Sequence, residues 1–163
     1  MRTIGIDPGT AIMGWGVVDE TAGALQLVDY GAITTPAKMA QPQRLRILYD
    51  ELQRLLQHYQ PGEAAVEELF FSRNVTTALS VGQARGVTLL AFTQIDIPIY
   101  EYKPLSVKQA VSGYGNADKK QMQEMVRITL QLDRIPKPDD AADALAVAIC
   151  HAYSGPMLRR TRT

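Results

Sequence analysis

The strongest constraint on this chain lies at its start, Arg2-Thr-Ile-Gly-Ile-Asp7-Pro-Gly-Thr10, where a short apolar run stops in a carboxylate and a turn. Arg2 to Ile6 is predicted to be a buried strand; Pro8 presets φ for the turn and Gly9 is expected to supply a positive φ, which holds Asp7 at the strand's carboxyl end. A charge in that place needs compensation. Two further acidic features could share it: Val66-Glu67-Glu68 at the end of a second apolar run, and Asp139-Asp140-Ala-Ala-Asp143 at the start of an Ala-rich helix. Carboxylates from two strand ends and one helix start can share a cleft only if something offsets their repulsion, and divalent cations do that.

The strand and helix pattern supports such a meeting. Strands are predicted over Arg2–Ile6, Ile12–Val18 and Leu25–Ile33 with short connections, an antiparallel meander. Pro42 then opens a helix whose Leu45, Leu48, Tyr49, Leu52, Leu55, Leu56 and Tyr59 form one apolar face, closed by Pro61-Gly62. Glu63–Glu67 follows as a strand that a right-handed crossover lays parallel to an earlier one. If its neighbour is the first strand, Asp7 and Glu67 lie side by side where α/β sheets bind ligands. A helix from Asn74 to Thr93, a parallel-type strand Pro98–Tyr102, a short helix Pro104–Val111, a helix Asp118–Leu132 and a final helix from Pro138 to about Tyr153 complete the pattern. The fold class is therefore α/β, a mixed sheet with a three-stranded meander plus parallel strands, flanked by helices. At 163 residues this is one domain, expected to span 1–153, with 154–163 as a flexible basic tail.

Composition bounds the function. One cysteine, Cys150, precludes an internal disulfide framework, and the absence of a secretory signal or an apolar run of about 20 residues points to a cytoplasmic protein with no membrane partner. Net charge is zero, yet it is unevenly placed: Met1–Ser72 holds 5 basic and 9 acidic residues, Arg73–Arg134 holds 8 and 5. An acidic excess gathered at one site leaves a positive surface around Arg73, Arg85, Lys103, Lys108, Lys119 and Lys120 for an anionic partner.

Asp140 and Asp143 are i and i+3 on one helix face, with Ala141, Ala142 and Ala144 leaving room beside them. Acids in a first helical turn also meet the macrodipole favourably without any further role. A carboxylate set lacking His or Cys favours a hard ion, Mg²⁺ or Mn²⁺. Two such ions about 3.5–4 Å apart could activate water at a phosphodiester and stabilise its leaving oxygen. Ala78, Gly82 and Gly86 form a small-residue stripe on the long helix, suited to close approach by the sheet or by a second subunit. Phe70-Phe71 is core by default, or an exposed aromatic pair that stacks on bases. His58 and His151 lack partners at ligand spacing and read as structural.

Gly5-Ile-Asp7-Pro-Gly-Thr-Ala-Ile-Met-Gly14-Trp-Gly16, Val66-Glu67-Glu-Leu-Phe70, Gly82-Gln-Ala-Arg-Gly86-Val, Val107-Lys108-Gln and Ala141-Ala-Asp143-Ala-Leu-Ala, in this order, resemble the RuvC family of bacterial Holliday-junction resolvases within the ribonuclease H-like nuclease superfamily. The resemblance implies a Mg²⁺-dependent endonuclease acting on four-way junction DNA. It implies Asp7, Glu67, Asp140 and Asp143 as metal ligands, with Glu67 chosen over Glu68 because it precedes Phe70 by three positions. Lys108 and Lys119 are implied near the scissile phosphate and Phe70 at the junction centre, with Phe71 as a second wedge candidate. It also implies a homodimer and cooperation with the RuvA and RuvB branch-migration proteins. Glu68 and Asp139 are extra acids beside the matching ones. The Asp-Pro-Gly-Thr turn also resembles the phosphate-binding hairpin of actin-like ATPases and sugar kinases, so an ATP-dependent phosphotransferase is an alternative; a non-catalytic junction-binding module is another.

Overall fold

The structure, a computed structural model, describes residues 1–68 and 75–161. Five strands form one sheet in the order β3-β2-β1-β4-β5. β1 (Arg2–Asp7), β2 (Ile12–Thr21) and β3 (Ala24–Thr34) make the antiparallel meander; β4 (Glu63–Glu67) and β5 (Ile99–Tyr102) add in parallel on the far side of β1. The central β1 strand is apolar throughout its middle because both sheet faces are covered, and Ile4 and Ile6 are fully buried.

On one face lie α1 (Gln41–Tyr59) and α2 (Val75–Thr93); on the other lie α3 (Pro104–Ser112), α4 (Lys119–Thr129) and α5 (Asp139–Thr161). The α1 face is anchored by Leu48, Leu52 and Leu56, each worth about 1.5–3 kcal/mol by burial. Gln60, in the left-handed region, ends this helix by donating its N–H to the Leu56 carbonyl. α4 starts at a reciprocal cap between Asp118 and Gln121.

α5 is the helix that sets the site, and its separation from the sheet is fixed by small residues. A Cβ at Gly14 would lie 1.9 Å from the Asp140 carbonyl oxygen, and one at Gly5 2.3 Å from that of Ala144. The helix backbone therefore rests on the β1–β2 backbone, and its first turn is carried to the strand ends.

Three expectations change. Gly9 does not have a positive φ; among the described glycines only Gly23 and Gly113 do. Glycine is needed at 9 because a Cβ there would lie 2.1 Å from the Ile12 carbonyl oxygen, in a turn wound too tightly for a side chain. α4 ends at Thr129 rather than Leu132, because Gln131 takes a left-handed conformation and Leu132 N–H returns to the Arg127 carbonyl. The segment from 154, expected to be a flexible tail, continues α5 as far as Thr161. Ser154-Gly155-Pro156 reads as a breaker, because an interior proline removes an N–H bond and crowds the carbonyl four residues back, yet the helix runs through it and Gly155 is buried.

Candidate active site

Asp7 and Glu67 come together through strand register. Ile6 pairs with Val66 in parallel, so the next residues, Asp7 and Glu67, leave the sheet side by side. Asp7 also faces Gly14 across β2, the position on which Asp140 rests. Asp140 and Asp143 enter from the first turns of α5, where Ala141, Ala142 and Ala144 are buried and take little space. The four acids thus line one cleft at the carboxyl ends of β1 and β4.

Their electrostatics record the crowding. Burial, then the charges of Glu67, Asp143 and Asp140, push the Asp7 carboxyl up to about 8 against the relief offered by Lys119. Burial and Asp143 raise Glu67 to about 7, partly offset by Lys108. Burial also raises Asp143, although Lys119 lies 3.6 Å from its carboxylate. Such a set holds protons that a hard cation would displace. Among the described residues no three His, Cys, Asp or Glu side chains are gathered closely enough to hold a metal ion as they stand.

The two extra acids differ in role. Asp139 turns to cations, 2.7 Å from Lys137 and 3.3 Å from Lys119, and those hydrogen bonds hold its carboxyl down to about 2. Lys119 is itself held above its usual value: burial works against the charge, but Asp143 and Asp139 outweigh it. Lys119 is thereby steered to the cleft between two carboxylates. A cavity of about 230 Å³ is lined by Glu67, Lys108, Lys119 and Asp143, so both lysines border the acids. Glu68 lines a neighbouring cavity of about 300 Å³ with Asp7, Glu67 and Arg85.

Other expected residues are placed less directly. Arg85 is ion-paired with Glu101 at the edge of that second cavity, and its buried Nε has no partner among the described residues. Lys120 is exposed on α4, away from both cavity linings. Phe70, Phe71 and Arg73 lie outside the described residues. His151 is structural, buried with its Nδ1 2.7 Å from the Tyr102 hydroxyl and its Nε2 2.8 Å from Glu63. Sequence reasoning missed the steering role of Asp139, for which Lys137 two residues earlier is the available signal.

The family model for the crossover junction endodeoxyribonuclease RuvC matches residues 3–151. The chain belongs to the RuvC family. A RuvC from Roseiflexus sp. (strain RS-1) is 67% identical over 98% of this chain and 95% of its own length, and one from Chloroflexus aggregans is 67% identical over 98% of both. The structure of T. thermophilus RuvC in complex with a Holliday junction substrate aligns with a TM-score of 0.91 at 37% identity, covering 96% of each chain. The yeast mitochondrial Holliday junction resolvase Ydc2, at a TM-score of 0.71 and 14% identity, shares the fold. This RuvC family member is thus a crossover junction endodeoxyribonuclease with the ribonuclease H-like fold, and the phosphotransferase and non-catalytic alternatives give way. Among its described residues no helix is long and apolar enough to cross a membrane.

The raised carboxyls make a signed prediction. A buried acid that ionises near 8 when folded and near 4 when unfolded costs the folded state increasing stability as pH rises between those values. The metal-free protein should therefore melt at a lower temperature at pH 8 than at pH 5.5. Added Mg²⁺ should raise the melting temperature more at pH 8, where binding need not expel protons. Equal shifts at both pH values in thermal unfolding would show that the acids do not hold the ion together.

Proposed function

We propose that the protein resolves four-way DNA junctions as a homodimer, making two symmetric nicks by divalent-metal-assisted hydrolysis. The observation that carries this reading is the convergence of Asp7, Glu67, Asp140 and Asp143 beside Lys108 and Lys119. Those four acids would hold Mg²⁺, with Mn²⁺ as a substitute. When bound, the metal supplies Lewis-acid stabilisation of the phosphodiester and a more acidic attacking water. The protein's own groups orient the strand. Lys119, positioned by Asp139 and Asp143, and Lys108 across the cavity face charge developing on the phosphate, where fixed cations help most.

Binding would rest on basic side chains, Lys120, Arg85 and Arg73 among them, and Phe70 or Phe71 would stack at the junction centre. RuvA and RuvB are the proposed branch-migration partners, in the cytoplasm.

Two considerations support the dimer, the need for paired cuts and the surface of α2. One site cuts one strand, whereas resolution needs two opposed cuts, so a twofold protein axis would match that of the DNA. α2 buries Ala84, Thr88, Ala91 and Phe92 against its own sheet. Its outer face leaves Val75, Leu79 and Leu90 more than half exposed, with open space beside Gly86. Ala78 and Gly82 lie half-buried between these faces.

Paired-nick mapping on a four-way junction and on linear duplex, with sedimentation, tests the reading. Wild type should sediment as a dimer and nick the junction at two symmetric points in Mg²⁺, with at least about tenfold less cutting of the duplex. Gly86→Leu has room on the isolated subunit, so it should keep its fold yet sediment as a monomer and lose paired cutting. A monomeric wild type that makes both nicks in one binding event would overturn the dimer.

A further inference from the structure

Asp140 borders a separate groove of about 500 Å³, lined by Gly9, Thr10, Arg44, Thr76 and Ser80 among others and by neither lysine. Arg44, on α1, is half-buried there. Its Nε donates to the Thr35 hydroxyl at 2.7 Å, and that hydroxyl donates to the Thr10 carbonyl at 2.6 Å. One edge of the guanidinium is thereby tied to the turn that follows Asp7. The Thr10 hydroxyl in turn lies 2.7 Å from the Ser80 hydroxyl and joins that turn to α2.

The two terminal nitrogens of Arg44 form no hydrogen bond or ion pair among the described residues. The contrast with the other arginines is informative. Arg2, Arg46, Arg54, Arg85 and Arg127 are paired with Asp19, Asp50, Glu51, Glu101 and Glu124. Arg134 lacks such a pair but is exposed to water. Arg44 alone among these is half-buried, anchored and without a carboxylate. A partly desolvated cation with a preset fork and unused donors is matched by an anion of phosphate geometry. The surrounding Thr and Ser hydroxyls are also common phosphate partners.

We propose that Arg44, oriented through Thr35 and Thr10, binds a backbone phosphate of the cleaved strand on the side of the cut opposite Lys108 and Lys119. The inference rests on the nuclease reading of the acid cleft and adds a second grip to it. Asp140 borders this groove and Asp143 borders the lysine cavity, so a strand laid over the start of α5 meets cations on both flanks. Held at two phosphates, the strand cannot slide along the acids. Arg44 is thus a positioning residue for the scissile bond.

The test uses four-way junctions carrying one uncharged methylphosphonate at each position near the cut, with affinity measured without metal over a range of salt. Wild type should lose about five- to tenfold in affinity at one flanking position beside the cut, on the side away from the lysines. Arg44→Gln should bind the unmodified junction that much more weakly, become indifferent to that methylphosphonate, and show a salt slope shallower by about 0.9. Arg44→Lys keeps the charge but not the Thr35-tied fork, so its salt slope and its sensitivity at that position should both fall between those of wild type and Arg44→Gln. A wild type with no sensitive phosphate on that flank would overturn the proposal, as would an Arg44→Gln or Arg44→Lys protein as sensitive there as wild type. Because affinity is read without metal, a protein that bound in this way yet failed to cut would count against the nuclease reading alone.

Discussion

Replacing Asp7 by asparagine is expected to lower junction cleavage at least about a thousandfold, a barrier increase of about 4 kcal/mol, while junction affinity stays within a few-fold of wild type. Asp7 is the acid most enclosed by the others, and its register places it between Glu67 on β4 and Gly14, on which Asp140 rests. Asparagine keeps the shape but removes the anionic oxygen that a hard cation requires. Binding rests instead on cations distributed outside the acids. A second readout follows from the same charge. Because burial and its neighbours favour the neutral form of Asp7, Asp7→Asn should make the metal-free protein melt higher than wild type at pH 8, and the two should converge near pH 4. Gel-resolved cleavage rates, junction binding and thermal melts measure all three. Cleavage within tenfold of wild type would remove Asp7 from the metal site.

Gly14→Ala should strongly disrupt the packing of α5 on the sheet. The added Cβ would lie 1.9 Å from the Asp140 carbonyl oxygen and 2.3 Å from its carbon, both backbone atoms of a helix that cannot yield locally. Either α5 moves off the sheet or the β1–β2 pair distorts, at a cost of about 3 kcal/mol or more, the upper range for overpacking. The first turn of α5 carries two of the four acids, so cleavage should fall together with stability. Gly86→Ala supplies the contrast, since nothing lies within 4 Å of a Cβ there. Within the subunit that change should be neutral or gain up to about 1 kcal/mol through helix propensity. Chemical denaturation of both variants checks the pair; a Gly14→Ala protein as stable as wild type would mean that α5 is not set by backbone contact.

Much of the site was legible because its logic is local. An apolar run ending in Asp7-Pro8-Gly9, a helix followed by Glu63–Glu67, and two acids three residues apart each carry their meaning within a few positions. Strand period and crossover handedness bring Asp7 and Glu67 to one edge and helix spacing puts Asp140 and Asp143 on one face, while the family resemblance is what joined the four. Gly9 shows where local reasoning misled: glycine marked the turn correctly, but the requirement is space beside Ile12 rather than a left-handed backbone. The end of α5 misled as well: Gly155-Pro156 is a local breaker signal, and the helix runs through it to Thr161.

The sequence by itself determined the alternation of strands and helices, the sheet edge at which the acids collect and the class of ion they favour, because each depends on neighbours in the chain. Only the tertiary structure decided how close α5 comes to β1 and β2, which acid beside Asp140 serves Lys119 instead of the cleft, and that Arg44 stands half-buried without a carboxylate among the described residues. Those outcomes depend on which atoms meet across the fold, between Gly14 and Asp140, between Lys119 and Asp139, and between Arg44 and Thr35. Close packing and charge pairing act on distance in space, and no spacing along the chain encodes it.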